Sequence, residues 1–234
     1  MTDYVLAHDL GTTGNKATLY DKDGQLRASA FYAYGTAYDY AGWAEQNPNK
    51  WWEAICGSTQ ELLQTSGVQG GKIACVTFSG QMMGVVALDE KARPLRPAII
   101  WADQRATEQA ARISDKLSAD RIYRITGHRI SAAYCLAKIR WIQEHQPDIY
   151  AATHKFMHAK DAMVARLTGK FATEPSDASG MNLYDLEAGT WSSEILDVAE
   201  IDPTKLPDIV PSTEVIGGIL PEVAPEGAHP EITV

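Results

Sequence analysis

The sequence predicts an α/β domain: a mixed sheet that starts with an antiparallel three-strand meander and carries helices on both faces. Two observations lead there. The first 34 residues read as three strands joined by two turns. From residue 47 onward, helical periodicities alternate with short β-branched runs. Helical segments between the later strands allow parallel crossovers.

Residues 4–8 form a short apolar strand, followed by the turn-rich Asp9-Leu10-Gly11-Thr12-Thr13-Gly14. Residues 16–21 set Ala17 and Leu19 against Thr18 and Tyr20, a period of two. Lys22-Asp23-Gly24 is a tight-turn signal, and residues 25–34 alternate again through Leu26, Ala28, Ala30 and Tyr32. Residues 35–46 are an aromatic, glycine-containing loop. A helix then opens with Asn47 as N-cap and Pro48 at the first helical position, where its missing N–H would be unpaired anyway. Trp52, Ile55, Thr59 and Leu62 with Leu63 recur at helical spacing, and Gly67 and Gly70-Gly71 end the run.

Residues 73–78 are β-branched and read as a buried strand. Residues 85–88 and 97–101, around the turn Asp89-Glu90-Lys91, resemble a hairpin. Helices are expected over 107–117, over 134–145 with Pro147 as the stop, and over 160–168 with Gly169 as the stop. After Ser176 the pattern weakens. A last helix is expected over 191–199, then a proline-rich tail and a final apolar run at 232–234.

The net charge is −9, from 21 Lys+Arg against 30 Asp+Glu, with no basic run or stripe. That argues against a nucleic-acid or anionic-membrane partner. An anionic substrate would need local basic groups or backbone amides, because the overall field does not attract it. No signal peptide and no membrane-length apolar run can be read. Cys56, Cys75 and Cys135 are odd in number and far apart, neither a disulfide framework nor a metal pattern, so a reducing cytoplasm is expected.

The strongest chemical signal is the turn from Asp9 to Lys16. Gly11 and Gly14 allow positive φ and close backbone approach. Successive turn amides make an anion-binding concavity, and the Thr12 and Thr13 hydroxyls can donate to phosphate oxygens. Asp9 is placed to hold Mg²⁺ through water, since Mg²⁺ keeps most of its hydration shell. An ordinary glycine-rich hairpin turn has the same composition; the residues alone leave both readings open. Lys16 is either a local cation or a solvated strand residue.

Asp-Leu-Gly-Thr-Thr-Gly behind an N-terminal strand resembles the first phosphate motif of the superfamily that unites actin, heat-shock chaperones and sugar kinases. Further stretches resemble one branch of it, the FGGY carbohydrate kinases of xylulose kinase type. These are Trp43-Ala44-Glu45-Gln46-Asn47-Pro48 with Trp51-Trp52, Phe78 to Gly84, Arg96 to Arg105, Ala137-Lys138-Ile139-Arg140-Trp141, Lys160-Asp161, Leu167-Thr168-Gly169 and Ser176 to Gly180. They occur in the family's order and cover essentially the whole chain. The resemblance implies a ribonuclease H-like (actin-like ATPase) domain spanning residues 1–234, the N-terminal domain of a two-domain kinase.

It also implies ATP and Mg²⁺ at Asp9, Gly11, Thr12, Thr13 and Gly14, with Asp9 meeting the metal through water. A sugar is expected at Gln81, Met82, Met83, Trp101, Asp103 and Arg105. The matching loop of xylulose kinases reads Gln-Met-His-Gly, so Met83 stands where a histidine donor is expected, and a thioether cannot donate. Taken alone, Met82 and Met83 read as core packing and Asp103 as a helix-start acid. By resemblance, Asp103 accepts bonds from sugar hydroxyls, and Trp101 or Arg105 shapes the pocket. Lys138 and Arg140 read as a solvated helix face with a salt bridge. Asp161 reads as a helix-start residue, Asp177 as a loop-ordering one, and the His154/His158 pair as incidental.

The family's catalytic aspartate sits in a Gly-Gly-Gly-Asp-like turn that opens the second domain, as do most adenosine contacts. Both are expected beyond Val234, so this chain alone is expected to hold no catalytic base and to be inactive. The full protein is expected to phosphorylate a ketopentose such as D-xylulose. Another sugar or polyol (ribulose, glycerol, a tetritol) stays open, as does a non-catalytic sugar- or nucleotide-binding module on the same fold. Its partners are expected to be the sugar and ATP, with a homodimer one open arrangement of the full-length form.

Overall fold

The computed structural model describes residues 4–222. Its central sheet has four strands in the order β3-β2-β1-β5. β1 (Tyr4–Leu10), β2 (Gly14–Asp21) and β3 (Leu26–Ala33) form the expected antiparallel meander. β4 (Glu45–Gln46) lies in the loop that follows. β5 (Ile73–Gly80) then lies parallel to β1, with His8 opposite Phe78 and Asp9 opposite Ser79. The crossover between them is α1 (Pro48–Ser66). Asn47 caps it by accepting from the Asn49 amide, and Gly67 ends it in the left-handed region at φ 68°.

One face of this sheet is covered. Leu6, Ala17, Leu19, Ala30 and Val76 pack with Leu62 of α1 and with Leu167 of a later helix, in one buried cluster. On the opposite face, where helices were also expected, Ala7, Asp9, Lys16, Thr18, Tyr20, Thr77 and Ser79 line an open depression of about 410 Å³. The alternation of the strands explains the division, because apolar side chains point to the helices and polar ones away.

The rest of the chain packs beyond β5. β6 (Val86–Leu88) pairs with β8 (Lys155–Met157), and β7 (Ala98–Ile99) pairs with β4, both antiparallel. The expected hairpin over 85–101 is therefore reduced. Val85 and Ile99 exchange two backbone hydrogen bonds, but β6 and β7 take their main partners elsewhere. α2 (Thr107–Lys116) and α3 (Ala119–Thr126) precede α4 (Cys135–His145), whose Leu136, Ile139 and Ile142 centre the largest core cluster.

Pro147 does not simply stop α4. It opens α5 (Pro147–Ala152), at a position that needs no amide hydrogen. α6 (Ala159–Thr168) ends at Gly169 in the left-handed region, as expected. β9 (Ala172–Thr173) and α7 (Pro175–Gly180) follow, the latter capped by Glu174, which accepts from the Ser176 and Asp177 amides.

The helix expected over 191–199 is shorter. β10 (Tyr184–Asp185) pairs with β11 (Thr190–Trp191), and Ser192 caps α8 (Ser193–Ala199) by accepting from the Ile195 amide. Trp191 is held outside the helix because its indole donates to the Pro207 carbonyl at 3.0 Å. β12 (Asp208–Ile209) pairs parallel with β9. The apolar run at 232–234 lies outside the described residues. Among the described residues, no helix is long and apolar enough to cross a membrane.

Candidate active site

β1 and β2 are joined by Gly11, Thr12 and Thr13. The Gly11 amide closes the turn on the Gly14 carbonyl at 3.0 Å. All three turn carbonyls are tied from behind. Gly11 O accepts from the Tyr34 hydroxyl and from Gln81 Nε2 (3.3 Å), Thr12 O from Gln46 Nε2 (2.7 Å), and Thr13 O from the Tyr34 amide (3.2 Å). Burial, with the Asp9 carboxylate nearby, pushes the Tyr34 phenol well above its ordinary range, so it stays a donor. Among the described residues no group accepts from the Thr12 and Thr13 amides. The turn thus presents donors outward and spends its acceptors inward, the polarity an anion needs.

The expected reason for the two glycines needs correcting. Neither Gly11 nor Gly14 has a positive φ. Gly14 is required by close approach: a Cβ there would lie 2.6 Å from the Tyr32 carbonyl oxygen and run into the Phe31 ring. The space at Gly14 is taken by the neighbouring strand β3, whose Ala33 pairs opposite Gly14.

Asp9 is the next-to-last residue of β1, on the open face, with Lys16 opposite it on β2. Ser79 Oγ donates to Asp9 Oδ1 at 3.0 Å. The other carboxylate oxygen has no partner among the described residues. A single free carboxylate beside outward amides suits a Mg²⁺ ion that keeps its waters and reaches the protein through them.

The two loops expected at the sugar come to the same place by different routes. Trp101 follows β7, is 42% exposed, and donates from its indole Nε1 to Thr12 Oγ1 at 3.0 Å. Gln81 follows β5, and its carboxamide turns inward. Nε2 donates to Gln46 Oε1 at 2.8 Å as well as to Gly11 O, so Gln81 braces the Gly11–Thr13 turn. Met82 is 36% exposed, and its side chain packs on Gly180 at the end of α7, where a Cβ would lie 2.8 Å from Met82 Cε. Met83 is half-buried with φ 61°, and its carbonyl accepts from Lys138 Nζ at 2.8 Å.

Asp103 is not a surface acceptor. It is fully buried, and both oxygens are taken. Oδ2 accepts from the Ala44 amide at 2.6 Å and from Arg105 Nη2 at 2.7 Å, while Oδ1 accepts from the Arg105 amide and Nε at 2.9 Å each. Arg105 is equally enclosed. Its Nη1 lies 2.7 Å from Glu45 Oε1, and its guanidinium sits 3.6 Å from the Trp43 ring centre and 4.9 Å from that of Trp141. This sealed pair holds the loop after β7 against the loop before α1. The expectation that Asp103 meets sugar hydroxyls is corrected to a supporting role, for want of any exposed acceptor.

Lys138 is corrected likewise. It is wholly buried, donates to the Met83 and Ala133 carbonyls, and burial pushes its ammonium down to about 8. Arg140 behaves as expected, with ion pairs to Glu144 (3.0 Å) and Glu200 (3.1 Å).

A second polar cluster lies beside the C-terminal end of β5. Asp161 stands in the first turn of α6, and Asp177 in the first turn of α7. His158, Asp161 and Asp177 bring ligand atoms within 4.8 Å of one another. Lys160 already supplies the cation, with Nζ 2.7 Å from Asp161 and 2.9 Å from Asp177. His154 is elsewhere, edge-on to Phe171. The cluster borders a cleft of about 420 Å³ that also reaches Ser79, Gly80 and Met82.

Sequence reasoning missed Tyr34 and Gln46 as braces of the Gly11–Thr13 turn, and Ser79 as the partner of Asp9. Gln46 stands in one of the stretches that carry the resemblance, but nothing in a single sequence says that its side chain reaches back to residue 12.

The sequence profile of the FGGY family of carbohydrate kinases, N-terminal domain, matches residues 4–234. A xylulose kinase of Bacillus subtilis is 36% identical over 221 residues, 94% of this chain and 44% of that protein. A gluconokinase of the same organism is 32% identical over 99% of this chain and 45% of its own length. Among solved structures, xylulose kinase from Rhodospirillum rubrum superposes with a TM-score of 0.92 at 26% identity, over 99% of this chain and 48% of that one. Gluconate kinase from Lactobacillus acidophilus gives 0.90 at 28% identity, over 98% and 46%. The chain spans about half the length of the relatives it matches. A braced glycine-threonine turn on an actin-like sheet, together with these matches, places the chain in the FGGY family of carbohydrate kinases, as its N-terminal domain.

Proposed function

We propose that the full protein transfers the γ-phosphoryl group of ATP to a hydroxyl of a ketopentose such as D-xylulose, and that this chain supplies the phosphate turn and one wall of the sugar site. The observation that carries the reading is the turn itself: Thr12 and Thr13 amides without an acceptor among the described residues, and a half-free Asp9 at the same turn, whose Thr12 hydroxyl meets the exposed Trp101. The turn amides and the Thr12 and Thr13 hydroxyls hold phosphate oxygens. Asp9 orients a hydrated Mg²⁺, which when bound neutralises phosphate charge. Trp101, Met82 and Met83 form the apolar wall against which the sugar is oriented. Such catalysis rests on positioning and electrostatics. The base that takes the sugar's proton comes from the half of the protein outside this chain. A reaction that consumes ATP, and three unpaired cysteines, fit a reducing compartment.

D-Gluconate is the second reading, favoured by gluconokinase relatives at similar identity. Sugar-dependent ADP release by the full-length protein tests both. D-Xylulose is expected to give the highest kcat/KM among D-xylulose, D-gluconate, ribulose and glycerol. A ranking led by D-gluconate selects the second reading, and release independent of any sugar overturns both. The isolated chain is expected to release no ADP above background.

A further inference from the structure

Trp101 and Thr12 are 89 positions apart in the chain and belong to different loops, yet the indole Nε1–H donates to Thr12 Oγ1 at 3.0 Å. The bond has one polarity. An indole nitrogen only donates, so Oγ1 is the acceptor and the Thr12 hydroxyl hydrogen must point to another acceptor. The Thr12 carbonyl is already held by Gln46. What remains on the outer side is the free hydroxyl hydrogen, next to two free amides.

The other residues expected at the sugar lack this arrangement. Gln81 is turned into the turn, and Asp103 and Arg105 are sealed in the interior. Met82 and Met83 have no polar hydrogen on their side chains to give. Trp101 alone among them combines an exposed ring with a hydrogen bond to a phosphate-turn hydroxyl.

We propose that Trp101 is a positioning residue that couples the sugar site to the phosphate turn. A sugar resting on the ring holds the indole in place, and the indole N–H then fixes Thr12 as a donor toward a phosphate oxygen. By linkage the effect is reciprocal: bound nucleotide orders Thr12, Thr12 orders the indole, and the sugar binds more tightly by the same factor. The inference rests on the sugar kinase reading above and adds a route of communication within that site.

The test uses the full-length protein and two substitutions. Trp101→Phe keeps an aromatic face and removes the N–H; Thr12→Val keeps the shape and removes the hydroxyl. D-Xylulose Kd is measured calorimetrically with and without Mg²⁺ and a non-hydrolysable ATP analogue. In the unsubstituted protein the nucleotide should tighten sugar binding roughly 2- to 12-fold, the range one neutral hydrogen bond supports. In Trp101→Phe the ratio should fall to about one, whatever the change in sugar Kd without nucleotide, since the ring itself meets the sugar. The double variant should lose no more coupling than either single one, because both remove the same bond. A ratio unchanged in Trp101→Phe overturns the proposal, as does sugar binding weakened equally with and without nucleotide. A full-length protein that phosphorylates sugar without any coupling overturns it too, and leaves the kinase reading intact. A protein that neither binds nor phosphorylates any of the sugars overturns the kinase reading instead.

Discussion

Asn15 Nδ2 donates to His8 Nδ1 at 3.0 Å, which ties the residue before Asp9 to the residue after Gly14. The same nitrogen donates to Ser58 Oγ on α1 at 2.8 Å, and the His8 ring stacks on Phe78 at 5.1 Å. The two strands that carry the Gly11–Thr13 turn are thus fastened to one another and to the crossover helix, in the interior.

This bond requires a neutral imidazole at His8. Burial pushes its pKa down to about 4 from an ordinary 6.5. Between those values the unfolded chain binds more protons than the folded one. The contribution to stability is therefore complete above about pH 6.5 and is lost as pH falls toward about 4, by about 3 kcal/mol. Urea unfolding at several pH values should show this loss, and His8→Gln should flatten the profile over that window. Equal slopes for the two proteins would remove His8 from the account.

Gly14→Ala should destabilise the domain by about 1–3 kcal/mol, as overpacking does. Adding Phe31→Ala should recover only part of the loss. The new methyl group would still lie 2.6 Å from the Tyr32 carbonyl, which no side-chain change moves. Full recovery in the double variant would mean that the ring alone sets the spacing.

Asp103→Ala should lower stability by about 3–5 kcal/mol, the cost of breaking a buried ion pair. Arg105 would keep only Glu45, and the Ala44 amide would lose its acceptor. Thermal melting checks this without any ligand. An unchanged melting temperature with a raised KM for sugar would instead restore Asp103 to the sugar.

In the full-length protein, Asp9→Ala should lower kcat about 10²–10³-fold, as loss of one well-aimed electrostatic group does, with little change in sugar Kd. A wild-type kcat would exclude Asp9 from phosphoryl transfer.

Met83→His should raise kcat/KM for D-xylulose relative to D-gluconate. Histidine is among the residues that tolerate positive φ, so the backbone at φ 61° should accept it. An unchanged ranking of sugars would mean that this side chain does not meet substrate.

The fold was legible where the chain carries its own punctuation. Asn47-Pro48 and Gly67 bound α1, Gly169 bounds α6, and strict alternation marks β2 and β3. α3 was missed although Ser118 and Gly127 cap it, because eight residues show too little periodicity to stand out. The pairings of β6 with β8 and of β7 with β4 are long-range, and a hairpin was the nearest local alternative. At the site, glycines and threonines announce a tight turn, whereas the side chains that hold it, Tyr34, Gln46 and Gln81, act across 23, 34 and 70 positions. Asp103 and Lys138 show the same limit: residue type says charge, and only packing says that the charge is interior.

Lys138 grips the Met83 carbonyl, and Asp103 grips the Ala44 amide. Both fix the site through backbone atoms, which every residue type possesses. The side chain at 83 therefore carries none of this anchoring, and a substitution there should leave the grip of Lys138 on the loop in place. Under the reading proposed above, selectivity can then drift at position 83 by single steps, each taken on the same backbone anchor.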